Sequence, residues 1–229
     1  MFIKICGITS EQDALLATAL DTDALGFVFA ASPRQVAPDL VRDIAKRLPR
    51  EVHTVGVFRN ERPEQILRIV NRTGLHGVQL HGRETDGEVA WLKERVRFVI
   101  RAYGAGDPAL AHAAKSGADI VLVDSPDPGS GKVFDWRLAE GAPGGVRLML
   151  AGGLNPENVG EAIRLVRPWG VDVSTGVEES PGRKDPRKLR QFIEAARDAA
   201  AIASGHTIDL TDSDEVAGVT RPWDWQIDE

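Results

Sequence analysis

Short apolar runs recur along the chain at 2–6, 24–29, 52–58, 77–80, 96–102, 120–123, 148–151 and 170–173. Each is too short for a core helix, and glycine, proline or polar residues bound it, so each is predicted as a strand. Between them the spacing changes. Val41, Ile44, Ala45 and Leu48 fall at i, i+3, i+4 and i+7, as do Leu189, Phe192, Ile193 and Ala196, which is the stripe of an amphipathic helix. Helix starts are marked as well: Asn155-Pro156 and Asp185-Pro186 place a capping side chain before a first-turn proline, and Ser10 with Asp13 resembles a capping box.

Strands that alternate with helices pair in parallel through right-handed crossovers. Eight such units in about 200 residues suffice to close a (β/α)8 TIM barrel. An open doubly wound sheet is the competing architecture. Glycine turns after the late strands, at Gly152-Gly153 and around Gly176, favour the barrel, which commonly builds a phosphate site there. Neither GxGxxG nor GxxxxGK[ST] occurs at a strand-to-helix turn, so the usual nucleotide signatures do not support the open sheet.

Composition adds limits to this picture. With 229 residues, 42% of them hydrophobic, the chain can bury one large core without a disulfide or metal staple. No apolar leader or span is present, which predicts a cytoplasmic protein with no membrane contact. The net charge is −6 with no basic cluster, which disfavours nucleic acid. From His206 to Glu229 seven acids oppose one base, so this stretch carries the whole net charge. It is predicted as a solvated acidic extension, 204–229, beyond a catalytic domain at 1–203, although Trp223 and Trp225 suggest docking on the body or on a second subunit. Homo-oligomer formation stays open.

In a barrel, the carboxyl ends of all strands converge on one face. The polar residues at those ends are Cys6, Arg34, Gln79, His81, Arg101 and Asp124. Cys6 is the sole cysteine, so it has neither a disulfide partner nor a companion zinc ligand within the chain. Strand alternation places Lys4 one layer below it, and closure makes Asp172 the candidate partner for that buried lysine. A cation beside Cys6 is expected to favour the thiolate and fast alkylation at neutral pH. A thiolate facing a carboxyl group suits an acid/base pair. An arginine would clamp an anion, and N–H groups at Gly152, Gly153, Ser174 and Gly176 would hold a phosphate. These features describe a barrel isomerase or lyase acting on a phosphosugar.

The motifs KICGIT (4–9), GFVF (26–29) with SPR (32–34), VGVF (55–58), VQLHG (78–82), DS (124–125) with GSGKxFDW (129–136), GGLNPENV (152–159), VDVSTGVE (171–178) and PGxKD (181–185) follow in order. Together they resemble phosphoribosylanthranilate isomerase of tryptophan biosynthesis, from residue 2 to about 200. The resemblance implies a barrel of the ribulose-phosphate-binding type. It implies an Amadori rearrangement of N-(5-phosphoribosyl)anthranilate to 1-(2-carboxyphenylamino)-1-deoxyribulose 5-phosphate without metal or cofactor. By the same resemblance Asp124 is the general acid, Cys6 the general base and Arg34 the carboxylate ligand. Gln79 and His81 lie in the substrate pocket, while Gly131, Gly152, Gly153, Ser174, Thr175 and Gly176 hold the phosphate. Gln35 stands where the family frequently has an aromatic residue, and Thr175 where a second serine is common. A histidine-pathway isomerase with two aspartates and a non-catalytic barrel are the rival readings. Cys6 at the end of the first strand argues against the former, and the joint presence of Cys6, Asp124 and Arg34 against the latter.

Overall fold

The structure is a computed structural model and describes residues 1–126 and 135–203. Gly131 and the 204–229 extension with its two tryptophans therefore lie outside the described residues. Eight parallel strands pair in sequence order: β1 (Phe2–Cys6), β2 (Ala24–Val28), β3 (His53–Phe58), β4 (Gly77–Leu80), β5 (Phe98–Gly104), β6 (Ile120–Asp124), β7 (Arg147–Leu150) and β8 (Gly170–Val173). β8 closes on β1 with Lys4 opposite Asp172, so the sheet is a barrel and not an open layer.

Helices α1 (Glu11–Ala19), α2 (Pro38–Ala45), α3 (Pro63–Thr73), α4 (Asp86–Lys93), α5 (Val159–Val166) and α6 (Pro186–Ala203) cover the outside. The crossovers after β5 and β6 are 3-10 helices instead, Pro108–Ser116 and Trp136–Gly141. Among the described residues no helix is long and apolar enough to cross a membrane. After β8 the chain forms a small antiparallel hairpin, β9 (Glu178–Ser180) and β10 (Arg183–Lys184), that the apolar pattern did not announce.

The capping signals resolve differently. Asp185 Oδ1 accepts from the N–H groups of Arg187 and Lys188 at 2.8 and 3.1 Å, so it caps α6 as its sequence predicts. Ser10 Oγ accepts from Asp13 N at 3.1 Å, but the Asp13 carboxylate turns to Lys184 N, leaving half a capping box. Asn155 accepts from the N–H groups of Glu157 and Asn158, so it shapes a turn ahead of α5 instead of capping the helix.

Two apolar layers hold the fold. Inside the barrel, Phe2, Val55, Phe98, Ile100, Leu122 and Met149 are among a separate buried cluster, and Trp169 stacks on Phe2 with ring centroids 4.6 Å apart. Between strands and helices lies the larger cluster, with Ile3, Ile5, Leu25, Val78, Val99, Tyr103 and Val121 facing outward to residues such as Leu92, Ile163 and Phe192. Strict alternation on every strand therefore assigns side chains to one layer or the other. It sends Lys4, Cys6, Gln79 and Asp124 inward, above the apolar floor.

Candidate active site

Cys6 ends β1 inside the barrel and is buried. Beside it β2 carries Gly26, where a Cβ would stand 2.8 Å from Cys6 Sγ and 3.1 Å from Lys4 Nζ. Only a glycine leaves the thiol and the ammonium in the same small space. Lys4 Nζ donates to Asp172 Oδ1 at 2.9 Å, which is the pairing that closure and alternation predict. Burial pulls the Lys4 ammonium down, but Asp172 and Cys6 outweigh it and hold the group above the usual lysine range. For Cys6 the balance goes the other way. Burial pushes the thiol above the usual cysteine range, and the nearby Lys4 and Lys184 offset this only in part. The expected neutral-pH thiolate is therefore corrected: the buried site favours the thiol, because desolvation of a small anion exceeds the attraction of its neighbours.

Asp124, at the end of β6, accepts from Ser125 N through Oδ1 at 2.7 Å. Its Oδ2 lies 3.3 Å from His81 Nε2, near it but not hydrogen-bonded to it. His81 Nδ1 is 3.1 Å from Gln79 Nε2. With that amide donating, the ring proton sits on Nε2 and faces Asp124. Gln79 Oε1 is buried without a hydrogen-bond partner, so this side of the mouth keeps unused polar capacity.

Arg34 is already engaged by a carboxylate of the protein. Its Nε and Nη2 donate to Glu178 Oε1 and Oε2 at 2.8 and 2.7 Å, a bidentate fork that leaves the Nη1 edge free of Glu178. Glu178 also accepts from Lys184 Nζ at 3.1 Å, and Lys184 Nζ donates to the carbonyls of Cys6 and Ser174 at 2.6 and 3.2 Å. The donors from Arg34 and Lys184 overcome burial and hold the Glu178 carboxyl below the usual range. Burial keeps Lys184 below the usual lysine range. Gly7, at φ 74°, belongs to the same knot, since a Cβ there would meet Arg34 Cδ at 2.6 Å and Ser174 Oγ at 2.8 Å.

A pocket beside Asp124 is lined by Gly152, Gly153, Ser174 and Thr175. Gly152 and Gly153 adopt left-handed backbone, φ 81° and 68°, and Asn158 Nδ2 donates to Gly153 O at 2.9 Å to fix the turn. Gly176 does not line this pocket; it packs against the Leu154 carbonyl. A larger cavity of about 570 Å3 adjoins it, with Cys6, Arg34, Gln79, His81, Asp124 and Ser174 in its wall. The candidate base, acid and anion ligands thus share one concave mouth.

The family model for N-(5'-phosphoribosyl)anthranilate (PRA) isomerase matches residues 3–195. The chain belongs to this family. The N-(5'-phosphoribosyl)anthranilate isomerase of Desulforudis audaxviator is 48% identical over 204 residues, spanning 86% of this chain and 98% of that protein. The crystal structure of phosphoribosyl anthranilate isomerase from Thermus thermophilus matches with a TM-score of 0.82 at 40% identity, covering 86% of this chain and 99% of that one. A phosphoribosyl anthranilate isomerase in complex with reduced 1-(o-carboxyphenylamino)-1-deoxyribulose 5-phosphate matches with a TM-score of 0.76 at 40% identity, covering 86% and 99% of the two chains.

Three features of this phosphoribosylanthranilate isomerase family member escape the sequence pattern. Glu178 and Lys184 stand inside the quoted motifs, yet nothing in their spacing shows that the hairpin folds them over the mouth; polar residues directly after the last strand are the available signal. Arg101 is corrected from the mouth to the outer face of β5, because Phe98, Ile100 and Ala102 take the inward positions. Gln35 donates through Nε2 to Phe29 O at 3.0 Å and does not line the cavity, whose nearby wall includes Phe58, stacked on Phe29 at 5.1 Å.

Proposed function

We propose that the protein catalyses the Amadori rearrangement of N-(5-phosphoribosyl)anthranilate in tryptophan biosynthesis, with Asp124 as general acid and Cys6 as general base. The observation that carries the reading is the placement of a carboxyl group and a thiol in one cavity next to a glycine-lined pocket. The sugar phosphate occupies that pocket, held by the turns at Gly152-Gly153 and Ser174-Thr175. Arg34, set by Glu178, offers its remaining Nη1 edge to the anthranilate carboxylate.

Asp124 gives its proton to the furanose ring oxygen, the C1′–O bond breaks, and the nitrogen lone pair forms the iminium. Cys6 then takes the C2′ proton, and the electron pair returns to nitrogen as the enolamine, which tautomerises to the ketone. For this step the Cys6 thiol, which burial favours, must first give up its proton, and the Lys4 ammonium offsets part of the cost of the anion. His81, oriented by Gln79, faces the Asp124 carboxyl and steers it. Residues 1–203 form the catalytic unit in this proposal, and 204–229 an appended acidic extension.

Turnover of freshly generated phosphoribosylanthranilate, followed by loss of its fluorescence, tests the reading. Wild-type activity with a fall in kcat of about 10² or more in both Cys6→Ala and Asp124→Asn is expected for loss of a positioned acid or base. An inactive wild type, on substrate that a control enzyme consumes, rejects it.

A further inference from the structure

Outside the catalytic mouth, one buried cation, Arg101, keeps nitrogens with no hydrogen-bond acceptor among the described residues. Arg101 is 9% exposed and faces away from the barrel interior, toward the strand and helix layer. It forms no hydrogen bond or ion pair among the described residues, and its Nε and Nη1 are buried without an acceptor. Its charge acts on Glu88 without a hydrogen bond, and Asp107 shares its cavity wall without bonding it. Glu88 accepts from Thr85 N and Oγ1 at 2.7 and 2.9 Å. Asp107 accepts from Ala109 N at 2.8 Å. A guanidinium taken out of water without acceptors is costly, and native structures rarely leave one so.

Arg101 lines a cavity of about 590 Å3 that shares Arg59 and His81 with the catalytic cavity. Arg83 stands at the rim, and the Arg101 guanidinium lies over the Tyr103 ring, 5.6 Å from its centroid. Positive charge, a shielded fork and an aromatic wall converge on one space. We propose that this cavity is an anion-binding subsite separate from the catalytic pocket, taking a small oxyanion, carboxylate or phosphate, on the Arg101 guanidinium with Arg83 at its entrance. The chemistry is that of a bidentate Arg pair, stronger here because the donors are withdrawn from water.

Tyr103 makes the test specific, since it is the one tyrosine in the sequence. Protein labelled with 3-fluorotyrosine gives a single 19F resonance from the cavity wall. Titration with inorganic phosphate and, separately, with benzoate is expected to move that resonance to saturation. The ligand that saturates at lower concentration assigns the subsite to phosphate or to a carboxylate. In Arg101→Met the shift is expected to vanish, and in Arg83→Ala, an exposed position where folding is not at stake, the midpoint is expected to rise several-fold. No saturable shift at about 50 mM of either anion, well above a millimolar Kd, overturns the proposal. So does a shift that persists unchanged in Arg83→Ala and in folded Arg101→Met, since it would then originate in the catalytic pocket.

Discussion

The two sides of the barrel mouth treat buried polar groups in opposite ways. Around β1, β8 and the hairpin, each buried charge is answered: Lys4 by Asp172, Glu178 by Arg34 and Lys184. Around β4, Gln79 Oε1 and His81 Nε2 are buried without hydrogen bonds, and so, on the outer face of β5, are Arg101 Nε and Nη1. A satisfied network in a low dielectric is rigid, because any displacement exposes a charge. The other side leaves donors and acceptors unused among the described residues. On the proposed function, one wall positions and the other receives.

That contrast can be broken by substitution. Lys4→Met strands the Asp172 carboxylate in the barrel, and denaturant unfolding is expected to show a loss of about 3–5 kcal/mol, the scale for breaking a buried pair. Lys4→Met with Asp172→Asn should recover part of it. A single substitution costing below about 1 kcal/mol would show that the wall is not held by this pair.

A smaller effect is expected at Cys6 itself. Because burial raises the thiol pKa, the rate of alkylation in the empty protein should climb with pH through a midpoint above the ordinary ~8.5. The sign extends to stability: a thiol whose folded pKa is raised contributes stability below the unfolded pKa, and that contribution is lost as pH rises toward the folded value. In a folded variant lacking the Lys4 cation, the alkylation midpoint should move higher still, since the thiolate loses its nearest positive charge. A midpoint below that of a free thiol would restore the sequence-based expectation of a ready thiolate.

The smallest change is expected on the receiving wall. Gln79→Leu removes an amide whose oxygen has no partner, so stability should shift by less than about 1 kcal/mol. Turnover should fall, by less than in Asp124→Asn, because His81 loses the donor that sets its tautomer. A large stability loss with unchanged kcat would make Gln79 a structural residue.

The barrel was legible because eight apolar runs separated by helical stripes admit few topologies, and the Lys4 to Asp172 pair followed from closure and a period of two. Boundaries were less so. β5 begins at Phe98 and not at 96, and its two faces are both apolar enough that the pattern gives no phase for Arg101. The stretch 108–116, rich in alanine behind a proline, gives no sign that it will wind as a 3-10 helix. Site residues on strand ends could be named from position, whereas the fork of Arg34 on Glu178 depends on a hairpin with no periodicity. The protonation of Cys6 depends on burial, which is a property of the folded chain.

Closure of the barrel also sets a schedule for synthesis. β1 finds its last neighbour at residues 170–173, so Lys4 leaves the ribosome long before Asp172 exists. At roughly 5–20 residues per second, the interval is on the order of ten to thirty seconds. Until then the nascent chain can build pairs in order from β1 onward, but its first strand remains an open edge with a lysine whose counter-ion has not been made. The thiol of Cys6 therefore acquires its electrostatic setting only once Asp172 and Lys184 have been added to the chain.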